Sequence, residues 1–113
     1  MTYQELKQIL MDYNWDNGFG VPKKTLNDTN CDLALALELF YLGDGCAYFE
    51  KMSQGASADE WQTEWYSFIS RLYEEILRGK YPQTEQHYEI PLSKVQRYKL
   101  RKSKIPEVFL ADI

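Results

Sequence analysis

Residues 33–42 read Leu-Ala-Leu-Ala-Leu-Glu-Leu-Phe-Tyr-Leu, a run with a single charge. Strict Leu/Ala alternation suits a strand, but Ala, Leu and Glu are strong helix formers and the run is long. Capping chemistry at Asn30, with Asp32 in the first turn, favours a helix from about Cys31 to Leu42. A helix that is apolar nearly all round has to be buried. The rest of the chain must therefore wrap it, and Gly43 and Gly45 end it.

The flanking segments supply the wrapping. Thr2 and Glu5 form a capping box, and Tyr3, Leu6, Ile9, Leu10 and Tyr13 recur at helical spacing. That helix stops near Tyr13, where Asn14, Asp16, Asn17 and Gly18 take over. Pro22 opens a short turn of helix through Leu26, and 46–52 forms another short helix. Ser57 and Glu60 predict a capping box for the next helix. Trp61, Trp65, Phe68, Ile69, Leu72, Tyr73 and Ile76 form its inner face, with Arg78 in its last turn and Gly79 after it. Ser93 and Gln96 predict a third box and a helix over 94–103, although Tyr98 and Leu100 alternate with basic residues as an edge strand does. Pro106 to Ile113 reads as a final short helix. The expectation is an all-α fold, one compact domain over residues 1–113 built as a bundle of four to five helices.

Charge narrows the partners. Residues 1–79 carry 13 acidic and 6 basic side chains, a net of −7, while residues 80–113 carry 4 acidic and 7 basic, a net of +3. An acidic first part disfavours nucleic acid and suits a basic protein partner. The basic segment Lys94–Lys104 is read as a solvated face or a counter-charge to that first part. The opening residues lack a signal peptide pattern, no window spans a bilayer, and Cys31 and Cys46 read as free thiols. The expectation is a cytoplasmic protein with no membrane partner; oligomeric state is left open.

Reactive chemistry finds little support. Asp12, Asn14 and Asp16 have the opening spacing of a calcium loop, but Asn17 stands where Gly belongs and Lys23 where a bidentate Glu belongs. Cys31 and His87 lack a local motif that would pair them. The adjacent carboxylates Asp59-Glu60 and Glu74-Glu75 point to different helix faces. Gly18-Phe19-Gly20 lacks a phosphate loop's third Gly and Lys. The reading is therefore no enzyme, no metal and no cofactor. Trp15 and Phe19 sit in a polar loop, where they either anchor it to the core or offer a hot spot to a partner.

The elements Asn14-Trp15-Asp16-Asn17-Gly18-Phe19, then Pro22, then Asn30-Cys31-Asp32-Leu33 with Ala36 and Leu37, resemble a small bacterial domain family of unknown function. The Gly43-Asp44-Gly45 end is similar too; Gly20 stands where the family has a larger polar residue. The resemblance covers residues 13–46. It implies a helical domain without established catalytic residues. It also implies a loose association with toxin–antitoxin-type neighbourhoods, where small acidic proteins neutralise a toxin domain. The functional expectation is an immunity-type protein that occludes a basic toxin domain through Asp12, Asp16, Asp44, Glu50, Asp59, Glu60 and Glu64, with Trp15 and Trp61 as anchors. The alternative is a non-catalytic structural or regulatory module acting as a homo-oligomer.

Overall fold

The computed structural model describes residues 1–55 and 63–113, and among these it is all-helical. Six α-helices are present: α1 Tyr3–Asp12, α2 Gly20–Leu26, α3 Leu33–Leu42, α4 Gly45–Gln54, α5 Glu64–Leu77 and α6 Lys94–Lys102. Two 3-10 turns, Trp15–Asn17 and Glu107–Phe109, complete the order. The count exceeds four to five because both short segments, at 22–26 and 46–52, lie within complete helices.

Helix α3 is the buried axle that its composition demands. Leu35, Ala36, Leu37, Leu39 and Phe40 are fully buried, and α4 and α5 pack against it. The core runs continuously from Leu6 and Leu10 of α1 through Phe68, Ile69, Leu72 and Ile76 of α5 to Phe109 and Leu110. Phe109 stacks on Tyr73 with centroids 4.8 Å apart and an interplanar angle of 10°, and lies 5.1 Å from Phe40.

The ends of the helices show how local chemistry sets the boundaries. Both capping boxes, Thr2 with Glu5 and Ser93 with Gln96, are formed. The cap of α3 is Asp32 rather than Asn30. The Asp32 carboxylate accepts from the Leu35 N–H at 2.9 Å, and the preceding residues 28–30 are held by Asp28, whose side chain accepts from the Asn30 N–H. Helix α5 begins at Glu64. Thr63, extended at ψ 145°, caps it by accepting from the Tyr66 N–H at 3.1 Å. The box expected at Ser57 and Glu60 itself lies outside the described residues. The segment after Pro106 makes only the 3-10 turn, with the consecutive residues Phe109 and Leu110 both fully buried.

The last twenty-odd residues are tied down by Arg97. Its guanidinium donates to the carbonyls of Leu92, Ile90 and Leu110, at 3.1, 2.8 and 3.3 Å, and to Asp112 at 3.1 Å. Asp112 in turn accepts from the Ile90 N–H at 2.7 Å. Tyr41 of α3 donates its hydroxyl to the Phe109 carbonyl. No helix among the described residues is long and apolar enough to cross a membrane.

Candidate functional site

The loop that leads from α1 to α2 places two aromatic rings on the end of α3. Asn14 caps the first 3-10 turn by accepting from the Asp16 N–H at 3.0 Å, and the Tyr13 hydroxyl donates to the Gly18 carbonyl at 2.6 Å. These bonds fix the loop so that Trp15 and Phe19 reach back to the core. Phe19 lies 4.9 Å from Phe68, and Trp15 lies 6.1 Å from Phe19 and 6.4 Å from Phe68.

Trp65 arrives from α5. Its indole N–H donates to the Gly43 carbonyl at 2.7 Å, closing an orphan acceptor at the C-terminus of α3. The Trp15 ring crosses the other side of the same glycine, 3.5 Å from where a Cβ would stand. Between these rings opens a groove of about 340 Å³, walled by Trp15, Phe19, Trp65 and Leu42, with Asp44 and Lys51 also lining it. Leu42 is 47% exposed there. Asp44 follows the helix in the left-handed region at φ 69°.

Of the residues singled out from the sequence, Trp15 and Asp44 meet in this groove. Asp16, next to Trp15, and Glu64, next to Trp65, are exposed beside its rings in sequence. Asp12 ends α1 and accepts from the Gln8 side chain at 2.8 Å. Glu50 lies elsewhere, in a hollow between α4 and the end of α6 lined by Met52, Leu100 and Ile105. Asp59, Glu60 and Trp61 lie outside the described residues. The helical phase of Trp65 and Leu42 points to the core; their positions at helix ends, where the buried stripe runs out, are the signal for partial exposure.

The other candidates are dispersed. Asp12 accepts from the Gln8 side chain within α1, Asn14 caps the 3-10 turn by accepting from the Asp16 backbone N–H, and the described residues contain no cluster of three or more His, Cys, Asp or Glu suited to a metal. Cys31 is buried, and burial, with the Asp32 and Asp28 charges nearby, pushes its thiol up to about 12. A thiol held protonated is a poor nucleophile. His87 is exposed in the loop before Tyr88. Burial works to raise the Glu75 carboxyl, but hydrogen bonds from Tyr81 at 2.7 Å, Arg71 at 3.1 Å and Lys80 at 3.3 Å outweigh it and hold the group below its ordinary value.

Helix α6 buries no residue completely. Arg97 and Leu100 face inward, while Val95 and Tyr98 are 63% and 59% exposed. Arg101 pairs with Glu107 at 2.7 Å and Lys102 lies over the Tyr98 ring at 5.3 Å. The basic segment thus finds its acidic partners, Asp112 and Glu107, within the C-terminal part rather than in the acidic first part.

A family model described as "Domain of unknown function (DUF4274)" matches residues 1–77, and the chain belongs to that family. No curated protein and no solved structure matches the chain. The groove falls within the matched residues, whereas α6 and the C-terminal turn fall outside them.

Proposed function

We propose that this chain is a protein-binding protein of the immunity type, which neutralises a basic partner domain by covering its surface. The observation that supports this reading is the groove at the end of α3. Two tryptophans and a phenylalanine, partly exposed and rigidly held, stand with the exposed carboxylates of Asp16, Asp44 and Glu64 in or beside it. Aromatic anchors at a patch centre with acidic residues around them are the composition of a surface that steers and then holds a basic protein. The net charge of −7 over residues 1–79 adds long-range attraction of the same sign. Acidic residues in this reading act on the association rate, and the rings act on the lifetime of the complex. The toxin-neutralising role within this reading is supported by the family resemblance of the Asn14–Phe19 loop.

The test is affinity capture from native cells with the intact protein and with Asp16→Lys/Glu64→Lys. The expected result is one dominant basic protein, released by salt and lost from the charge-reversed variant. Capture that is indifferent to both salt and charge reversal overturns the electrostatic mechanism, and recovery of the bait alone overturns the binding role.

A second reading, a homo-oligomeric structural or regulatory module, is favoured by one observation. The outer face of α6 carries exposed Val95 and Tyr98 among Lys94, Lys99 and Lys102. That face is complementary in charge to the first part of a second copy. A concentration-dependent mass by light scattering, abolished by Tyr98→Ser and by high salt, identifies this arrangement.

A further inference from the structure

The groove at the C-terminus of α3 has features that select its occupant more narrowly than a basic surface. We infer that it seats an arginine side chain of the partner. This inference rests on the protein-binding reading above and deepens it.

Two sources of negative potential, the aromatic rings and the Asp44 carboxylate, line it. The faces of Trp15, Trp65 and Phe19 carry the negative side of the aromatic quadrupole. The last turn of α3 ends in the wall at Leu42 and Gly43 while α4 begins beside it at Gly45, so the negative end of one helix dipole meets the positive end of the next and the side chains decide the sign of the groove. The Asp44 carboxylate lines the same space. A volume of about 340 Å³ lies in the range of small-ligand sites, which run from roughly 300 Å³ upward.

The rings are set in place before any ligand arrives. Trp65 is pinned to the Gly43 carbonyl at 2.7 Å, and Trp15 is wedged between Gly43 and the Phe19–Phe68 pair. A preformed wall avoids the ordering cost that weakens binding to mobile side chains. Arginine fits this wall better than lysine. Its planar guanidinium stacks on an indole while its edge N–H groups donate to a carboxylate, and it gives up hydration more readily than an ammonium. Lys51 is the one cation among the described lining residues.

The probe is the capped tripeptide Gly-Arg-Gly, titrated to millimolar concentration into the intact protein and followed by the indole N–H resonances of Trp15 and Trp65. The control is the same peptide with citrulline, which keeps the shape and removes the charge. The expected result is a saturable shift of both indoles with the arginine peptide. Citrulline and Asp44→Asn each weaken binding about two- to fivefold, the range for exposed cation–π and ion-pair contacts, and Lys51→Met strengthens it. Asn tolerates the left-handed conformation of residue 44, so the variant keeps its fold. Equal shifts with citrulline, or shifts confined to other faces, overturn the inference. Arginine-dependent shifts support the seat whether or not a protein partner is captured. Their absence overturns it even where a partner binds at another face.

Discussion

The Asp32 carboxylate joins two distant parts of the chain: Oδ1 accepts from the Leu35 N–H at 2.9 Å, and Oδ2 accepts from the Thr84 hydroxyl at 2.5 Å, 52 residues away. Asp32 is only 2% exposed. Beside it the Leu33 N–H donates to the Pro82 carbonyl at 2.9 Å. The N-terminus of the central helix is therefore closed by the loop that follows α5, and a helix that is apolar on all sides keeps its end groups satisfied away from water.

Replacing Asp32 with alanine strips both donors of their acceptor. Loss of a cap costs about 0.5–2 kcal/mol, and a buried donor left unpaired adds to it. The expected total is about 2–3 kcal/mol, seen as a lower urea midpoint with an unchanged slope. Asn, which keeps an oxygen for the Leu35 N–H, is expected to lose less than half of that. Equal losses for Ala and Asn would show that the carboxylate's charge, not its hydrogen bonding, matters here.

Two glycines are expected to respond in opposite directions to alanine. A Cβ at Gly45 would lie 2.1 Å from a ring carbon of Phe40, which is fully buried against Phe49 and Phe109 and has no room to retreat. Gly45→Ala should cost about 1–3 kcal/mol as overpacking. A Cβ at Gly20, the first residue of α2, meets nothing within 4 Å. Gly20→Ala should stabilise by about 0.4–1 kcal/mol through the unfolded chain and helix propensity. Thermal melts of the pair decide it; a neutral Gly45→Ala sinks the close-packing account of the α3–α4 corner.

These contrasts mark what the sequence could carry. Capping boxes at Thr2 and Ser93, the burial of α3 and the amphipathic phase of Phe68, Ile69, Leu72 and Ile76 depend on residues within a few positions of one another, so pattern alone locates them. The choice of Asp32 over Asn30 as cap does not, because it depends on Thr84 and Pro82 closing over that end. The same holds for the groove. Trp15 and Asp44 can be suspected singly, but their meeting with Trp65 at Gly43 is a product of tertiary packing. Val108, Phe109 and Leu110 are apolar enough to suggest a helix, but the segment makes only the 3-10 turn Glu107–Phe109.

The family match ends at residue 77, yet Tyr81, Ile90, Leu92, Ile105, Phe109 and Leu110 are all buried in the common core. A fragment of residues 1–77 would expose the faces of Phe40, Phe49 and Tyr73 that Phe109 covers. The fragment is expected to lack a cooperative thermal transition and to bind a hydrophobic dye. In the full chain, Phe109→Ala should cost about 3–5 kcal/mol. A 1–77 fragment with dispersed amide resonances and a sharp melt would show that the C-terminal part is an accessory.

Glu38 is the one charged side chain on α3, and its Oε2 is buried without a hydrogen-bond partner among the described residues. The Lys7 ammonium stands 3.9 Å away, too far for a hydrogen bond. Burial raises the Glu38 carboxyl above its ordinary value of 4.5, and Lys7 offsets only part of that. A carboxyl whose folded-state value is raised destabilises the fold wherever it is ionised. The cost is fully present above the folded-state value and disappears as pH falls to the unfolded one. Glu38→Gln removes the charge at nearly constant volume. It is expected to raise stability at pH 7 by on the order of 1 kcal/mol. That advantage should shrink through the window just above pH 4.5 and be gone at about pH 4. Urea midpoints of both proteins at pH 7 and pH 4 test it. A variant less stable than the parent at pH 7 would mean that the Lys7 ion pair outweighs the burial of the charge.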